Sequence, residues 1–245
     1  MNARFTDIWA YLSATPLLGL TVTLLAYQAA YWLYQRANFH PLLNPVAVSV
    51  ALIAGALTLT HTPYSTYFTG AQFIHFLLGP ATVALALPLY AQFGKLKAAW
   101  RALLLALLAG SATAAGSAVL IAWALGAGPV TLRSMAPKSV TMPIAMGIAE
   151  KIGGLPSLTA VLVVSTGIIG AVLAKYILDA LRIADHAARG FAVGVAAHGI
   201  GTARAFQVSE EAGAFAGLGM GLNGVLTPLL VPLGLWLLGT LGTLW

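Results

Sequence analysis

The chain has 245 residues, 60% of them hydrophobic and only 7% charged, with a mean hydropathy of +0.90. A soluble domain carries about 25% charged residues, so this chain cannot clothe a water-facing surface and is an integral membrane protein. Its net charge of +6 comes from cations set singly between apolar spans, where they orient segments and meet anionic lipid rather than nucleic acid. The lack of cysteine excludes disulfides and thiolate metal sites.

Residues 1–14 carry Arg4, Asp7, Trp9 and Tyr11. They lack a strongly basic start and a small-residue cleavage site, so they are expected to form an interfacial lead-in, with the first span kept as an anchor. Residues 15–245 are expected to form one transmembrane domain. A helix crosses a bilayer with about 20 apolar residues. Thr15 to Tyr34 and Pro41 to Thr60 fit that length, with Asn44-Pro45 a weak polar break in the second. Tyr64 to Phe93 is long and interrupted at Gly79-Pro80 and Pro88. Ala98 to Leu125 and Leu155 to Leu178 are clean spans, and Val130 to Glu150 between them is broken. Gly190 to Val208 is short, glycine-rich and polar, and Ala212 to Leu241 is interrupted by Asn223, Pro228 and Pro232. These segments, about 7–8 in all, predict an all-α polytopic membrane fold.

The segment from Ala136 to Met146 (APKSVTMPIAM) holds two prolines, a lysine and two hydroxyls. Proline removes a backbone donor, and a lysine in hydrocarbon is costly. Non-helical polar backbone is tolerated at membrane depth only where protein or a water-filled cavity covers it. The stretch therefore predicts a functional break. Pro80 to Pro88 (PATVALALP) echoes Pro137 to Pro143 (PKSVTMP). Paired proline-broken segments are the sequence pointer to a transporter built from inverted repeats, and such a repeat is expected here. Half-helices starting after Pro80 and Pro137 would aim their free N–H groups into one cavity. Thr82, Ser139 and Thr141 would line it and Lys138 would add a full charge, which favours a small carboxylate. The alternative is that both prolines only kink helices and Lys138 snorkels to the interface.

A second constellation is AHGIGTARA, Ala197 to Ala205. Gly199 and Gly201 permit unusual backbone, His198 titrates near neutral pH, and Arg204 can grip a carboxylate through two parallel donors. Thr202 lies between them. The alternative places Arg204 at a membrane boundary beside Glu210 and Glu211, with His198 bonding a neighbouring helix. Gly213, Gly217 and Gly221, at every fourth position, predict close helix packing. Asn223 is either interhelical glue or a substrate contact. If transport is proton-coupled, His198 is the best carrier, because acidic residues are nearly absent from the spans. No Gly-x-Ser-x-Gly, His-Glu-x-x-His or phosphate-loop pattern occurs, so neither an enzyme nor a cofactor or metal is expected.

Basic residues cluster at Arg36, at Lys95, Lys97 and Arg101, and at Arg182 and Arg189. The positive-inside rule puts the first two clusters in the cytoplasm. The third joins them only if Val130 to Glu150 is re-entrant.

Several of these motifs resemble the LrgB/CidB family. They are Leu78 to Tyr90 (LGPATVALALPLY), Pro137 to Thr141 with Pro143 to Ala145, Gly153 to Ala160 (GGLPSLTA), His198 to Ala205 and Glu211 to Ala214. The resemblance runs from about Thr15 onward, over nearly the whole chain. Met142 and Gly147 depart from the threonine and larger residue expected there. The resemblance implies two functions. Bacterial members are named antiholin-like or holin-like modulators of murein hydrolase activity and lysis, often paired with a small LrgA/CidA-type membrane protein. Plastid relatives look like glycolate/glycerate translocators, and bacterial relatives are linked to pyruvate-type carboxylates. A multi-pass protein of the bacterial inner membrane is thus expected. It would transport small carboxylates through a site of Thr82, Lys138, Ser139, Thr141, His198, Thr202, Arg204 and Asn223. Lysis modulation is the alternative, and homo-oligomerisation is expected in either case.

Overall fold

The computed structural model describes residues 16–240, apart from the side chains of residues 16, 75, 78, 82 and 238–240. The expected lead-in over 1–14 lies outside the described residues. Every regular element among them is a helix. The chain divides into two compact units that meet in sequence at Ala84 and Leu85.

The first unit holds α1 (Pro16–Arg36), a short 3-10 turn (Pro41–Leu43), α2 (Pro45–Leu59), α3 (Tyr64–Phe76) and α4 (Leu78–Ala84). The Asn44-Pro45 pair starts α2 rather than breaking a span. The Asn44 side chain accepts from the N–H groups of Val46 (2.9 Å) and Ala47 (3.2 Å), and Pro45 fills the first helical position, where no N–H is needed. α1 and α3 touch backbone to backbone at Gly19, where a Cβ would lie 2.3 Å from the Tyr67 carbonyl oxygen. The Thr23 and Tyr67 hydroxyls, 2.7 Å apart, hold the same crossing.

The second unit holds α5 (Ala86–Ala91), α6 (Phe93–Ala124), α7 (Pro129–Met135), α8 (Met142–Lys151), α9 (Pro156–Ala180), α10 (His186–Val208) and α11 (Glu210–Thr240). α6, α9 and α11 are long and apolar enough to cross a bilayer. The 32 residues of α6 extend about 48 Å. They outreach a hydrocarbon core of about 30 Å, which leaves Lys95, Lys97 and Arg101 at the surface.

α10 is not a single rod. Ala197 (φ −124°, ψ 15°) and His198 (φ 42°, ψ −136°) leave helical space in its middle. The packing register shows what the chain does there. A Cβ on Gly190 would strike the Ala212 carbonyl, and one on Gly194 the Ala216 carbonyl. Both numbers rise together, so the first half of α10 runs parallel to α11. Gly213 packs on the Phe206 ring, whereas Gly199 and Thr202 face Met220. Those numbers run oppositely, so the second half is antiparallel. The chain doubles back at His198 into a helical hairpin, each arm about 15–18 Å deep, or half a bilayer.

α7 and α8 make a second hairpin. The Leu155 N–H, just past α8, donates to Ser134 Oγ (2.7 Å) at the end of α7. The Thr159 hydroxyl donates to the Ser134 carbonyl (2.9 Å). Gly154 is pressed onto the Ser134 backbone. The chain thus leaves α8 beside the segment by which it came in. Gly153, at φ +77°, closes α8: its N–H bonds the Glu150 carbonyl and that of Gly154 the Ala149 carbonyl, a left-handed helix stop that glycine adopts without strain.

The two hairpins come from opposite ends. Lys95 Nζ pairs with Glu211 (2.6 Å) and Arg189 with Asp179 (2.7 Å). These pairs place the start of α6, the end of α9 and the starts of α10 and α11 together at a basic end. At the far end Val119 and Ala122 of α6 pack with Leu132, Ala136 and Ile148 of the α7–α8 hairpin and Val231 of α11. Both basic clusters, Lys95 to Arg101 and Arg182 to Arg189, therefore share one face, which the positive-inside rule assigns to the cytoplasm. This is the re-entrant outcome for Val130 to Glu150.

Two expectations need correction. Complete crossings are fewer than the about 7–8 apolar segments suggested. Among the described residues, four helices are long and apolar enough, or five if Tyr64–Ile74 and Gly79–Ala91 count as one bent span. Apolar length alone does not separate a crossing from a hairpin that turns back. The second correction concerns the inverted pairing. Pro80 and Pro88 lie in the first turns of α4 and α5, whereas Pro137 lies in a non-helical turn and Pro143 in the first turn of α8. The two stretches are not equivalent in backbone. The inverted relation instead links α6 and its hairpin with the oppositely directed α9 and its hairpin.

Candidate functional site

The hairpin tips meet at the middle of α11. Asn223, 1% exposed, donates from Nδ2 to the Ser139 carbonyl (3.1 Å) and the Val195 carbonyl (3.0 Å). Its Oδ1 accepts from the hydroxyls of Ser111 (2.6 Å) on α6 and Thr227 (3.0 Å). One amide thus ties both tips to two crossing helices. A regular helix would pair the Val195 carbonyl with the N–H four residues on, but the break at 197–198 intervenes. Asn223 has two donors and a carbonyl oxygen with two lone pairs, and protein groups use all of them. Every one of its bonds here joins helices or hairpin tips, the interhelical role among the two expected of it.

His198 is 4% exposed, and its Nε2 lies 2.9 Å from the Val163 carbonyl on α9. A carbonyl only accepts, so Nε2 carries the proton. The ring rests on Gly167, where a Cβ would come within 2.7 Å of it, and Ala197 rests on Gly170 in the same way. The Thr202 hydroxyl, also buried, donates to the His198 carbonyl (2.9 Å).

The Pro137 turn runs through Lys138, Ser139 and Val140 to Thr141, with Pro137 and Ser139 buried and Lys138 half-buried. Lys138 Nζ donates to its neighbour's Ser139 Oγ at a long 3.4 Å. No carboxylate pairs with it among the described residues. Thr141 leads into α8 without a side-chain cap, and Pro143 occupies the first turn. The helix that starts in this tip thus begins at Met142, not directly after Pro137. Met142 itself is exposed, and nothing lies within 4 Å of where a Gly147 Cβ would be.

The structure links Ser139 and, three residues before His198, Val195 through Asn223, with Lys138 beside Ser139 and Thr202 on His198. Arg204 is not at the tip. It lies six residues beyond His198, about 9 Å along the helix towards the basic end, and donates to Gln207 (3.2 Å). Thr82 belongs to the first unit, and its side chain lies outside the described residues. Gly199 and Gly201 follow the break instead of forming it. A Cβ on Gly201 would meet Ala197 and Val193, as the fold-back requires. Sequence reasoning missed Ser111, Thr227, Gly167 and Gly170. Thr227, four residues after Asn223, was the one with a readable signal.

The fold and site define a polytopic helical membrane protein in which two helical hairpins meet beside the middle of α11. The profile of the LrgB-like family matches residues 23–237, and the chain belongs to that family. It is 38% identical over 211 residues to the uncharacterized protein YwbG of Bacillus subtilis (strain 168), covering 86% of this chain and 93% of that one. It is 33% identical over 219 residues to the antiholin-like protein LrgB of Bacillus mycoides (strain KBAB4), covering 89% and 95%. The same figures hold for the antiholin-like protein LrgB of Bacillus cereus (strain B4264). No solved structure matches the chain. It is a multi-pass cell-membrane protein.

Proposed function

We propose that the paired tips form an anion site and that the chain moves small carboxylates across the membrane. The observation that carries this is Lys138, an ammonium half-buried at the tip with no carboxylate partner among the described residues. An unpaired cation at membrane depth calls for an anion. The helix ends support the same reading. α8 and the second arm of α10 both start at the tips, so each turns its partial positive charge and free N–H groups to mid-depth. Interrupted helices whose N-termini face a mid-membrane site are how secondary transporters hold anionic groups.

The test is uptake of labelled glycolate, glycerate or pyruvate into proteoliposomes holding this chain alone. Saturable uptake is expected, and Lys138→Ala should lower apparent affinity about tenfold or more, the loss of a charge-assisted hydrogen bond, at unchanged protein yield. Equal loss of yield and uptake would return Lys138 to a structural role.

The relatives' names favour a second reading, and on similarity alone it is the better supported. Proteins that this chain matches over nearly their whole length are called antiholin-like. In that reading the chain modulates murein hydrolase activity and lysis with a small LrgA/CidA-type membrane partner, and carries no substrate itself. A well-folded preparation that takes up no carboxylate, while deletion of the chain alters lysis, would favour this reading over transport.

A further inference from the structure

We infer that Asn223 sets the charge preference of the site by covering the carbonyl groups at both hairpin tips; this rests on the carboxylate reading above. A helix broken at mid-depth exposes both kinds of backbone group. Free N–H groups attract anions, whereas unwound carbonyls and helix C-termini attract cations. Each tip holds both, so backbone geometry alone leaves the sign undecided.

The side chains at the tips decide it. The two Nδ2 donors of Asn223 go to the Ser139 and Val195 carbonyls, one on each tip. Thr202 covers the His198 carbonyl, and His198 covers that of Val163. Each of these hydrogen bonds occupies one lone pair of the carbonyl it reaches. At the start of α8, by contrast, no side chain accepts from the N–H groups. Lys138 adds the one full positive charge at this tip. Asn223 is central because it serves both tips from a residue belonging to neither. The Ser111 and Thr227 hydroxyls both donate to its Oδ1, which fixes the amide with its nitrogen towards the carbonyls. A flipped amide would set oxygen against oxygen. Asn223 is thus a positioning residue that shapes the site's field without touching the ligand.

The readout is a ratio: the affinity of purified chain in detergent for glycolate divided by that for glycolamide, its neutral counterpart. A purely structural role for Asn223 lowers the folded fraction equally for both ligands and leaves the ratio alone. The expectation is that wild type prefers glycolate, that Asn223→Ala lowers the preference at least about tenfold, the scale of one hydrogen bond to a charged group, and that Asn223→Gln, which keeps both donors, restores part of it. If Asn223→Ala does not yield a monodisperse protein, Asn223→Ser, which can cover one carbonyl, takes its place with an intermediate ratio expected. An unchanged ratio in either folded variant overturns the inference and leaves the carboxylate reading standing. A wild type that binds neither ligand, or both alike, overturns the carboxylate reading and this inference with it.

Discussion

His198 has a backbone conformation, φ 42° and ψ −136°, that residues with a Cβ rarely adopt and that costs on the order of 1–3 kcal/mol. Its hydrogen bond to Val163 and its seat on Gly167 hold it there. Removing the ring loses those contacts in any variant, but glycine also removes the strain. His198→Gly should therefore unfold at a higher temperature than His198→Ala, by about 1 kcal/mol in stability, in thermal unfolding of detergent-solubilised protein. The opposite order would mean that the turn is not strained. Gly167→Ala tests the other side of the contact. Its Cβ would fall 2.7 Å from His198 Cε1 and 2.9 Å from Nε2, so it should destabilise by about 1–3 kcal/mol. Much of this was readable in the sequence. His198 and Lys138 drew notice as polar groups in apolar segments, although Lys175, inside a crossing helix, shows that such a residue need not mark a tip. The partners were not readable, because a backbone carbonyl such as that of Val163 has no side-chain signature. The place of Arg204 was not readable either: its chemistry suits a carboxylate, but it lies six residues beyond His198 and donates to Gln207.

The helical elements were legible as apolar runs, and their interruptions as prolines, glycines and polar residues. Their path was not. Residues 129–151 and 186–208 each have enough length to cross the membrane, and only long-range packing shows that they turn back. Glycine gives the clearest case. The regular spacing of Gly213, Gly217 and Gly221 suggested a close helix face, yet only Gly213 is tightly packed. Gly217 meets Leu85 at ordinary contact distance and Gly221 meets nothing within 4 Å. Backbone-to-backbone approach occurs instead through Gly190, Gly194 and Gly219, because the parallel register of α10 and α11 turns those positions inward. A paired substitution separates the two sets. Gly194→Ala, whose Cβ would sit 2.0 Å from the Ala216 carbonyl oxygen, should destabilise by about 1–3 kcal/mol or more. Gly221→Ala should be neutral or stabilise by up to about 1 kcal/mol, the ordinary helix preference for alanine. Similar effects of both on the melting temperature would mean that the register is wrong.

At the scale of the second unit, its three crossing helices and two hairpins form an arrangement in which each hairpin follows a crossing helix and the two pairs are inverted. The charge pattern carried this in outline. The clusters at Lys95 to Arg101 and at Arg182 to Arg189 share a face only if the intervening Val130 to Glu150 stretch is re-entrant, and they do share it. Charge could not locate the second hairpin, because Gly190 to Val208 holds one arginine near its end and no lysine or arginine at its tip. In the proposed site two helix N-termini start at the tips, and Asn223 reaches one carbonyl on each. The most direct test uses single cysteines, which the native sequence lacks, labelled from one side of oriented vesicles with an impermeant thiol reagent. Cysteines at Gly128 and Gly153, which flank the first hairpin, should react from the same side, and cysteines at Asp185 and Ser209, which flank the second, from the opposite side. Labelling of Gly128 and Gly153 from different sides, or of Asp185 and Ser209 from different sides, would contradict the half-membrane hairpins on which the site depends.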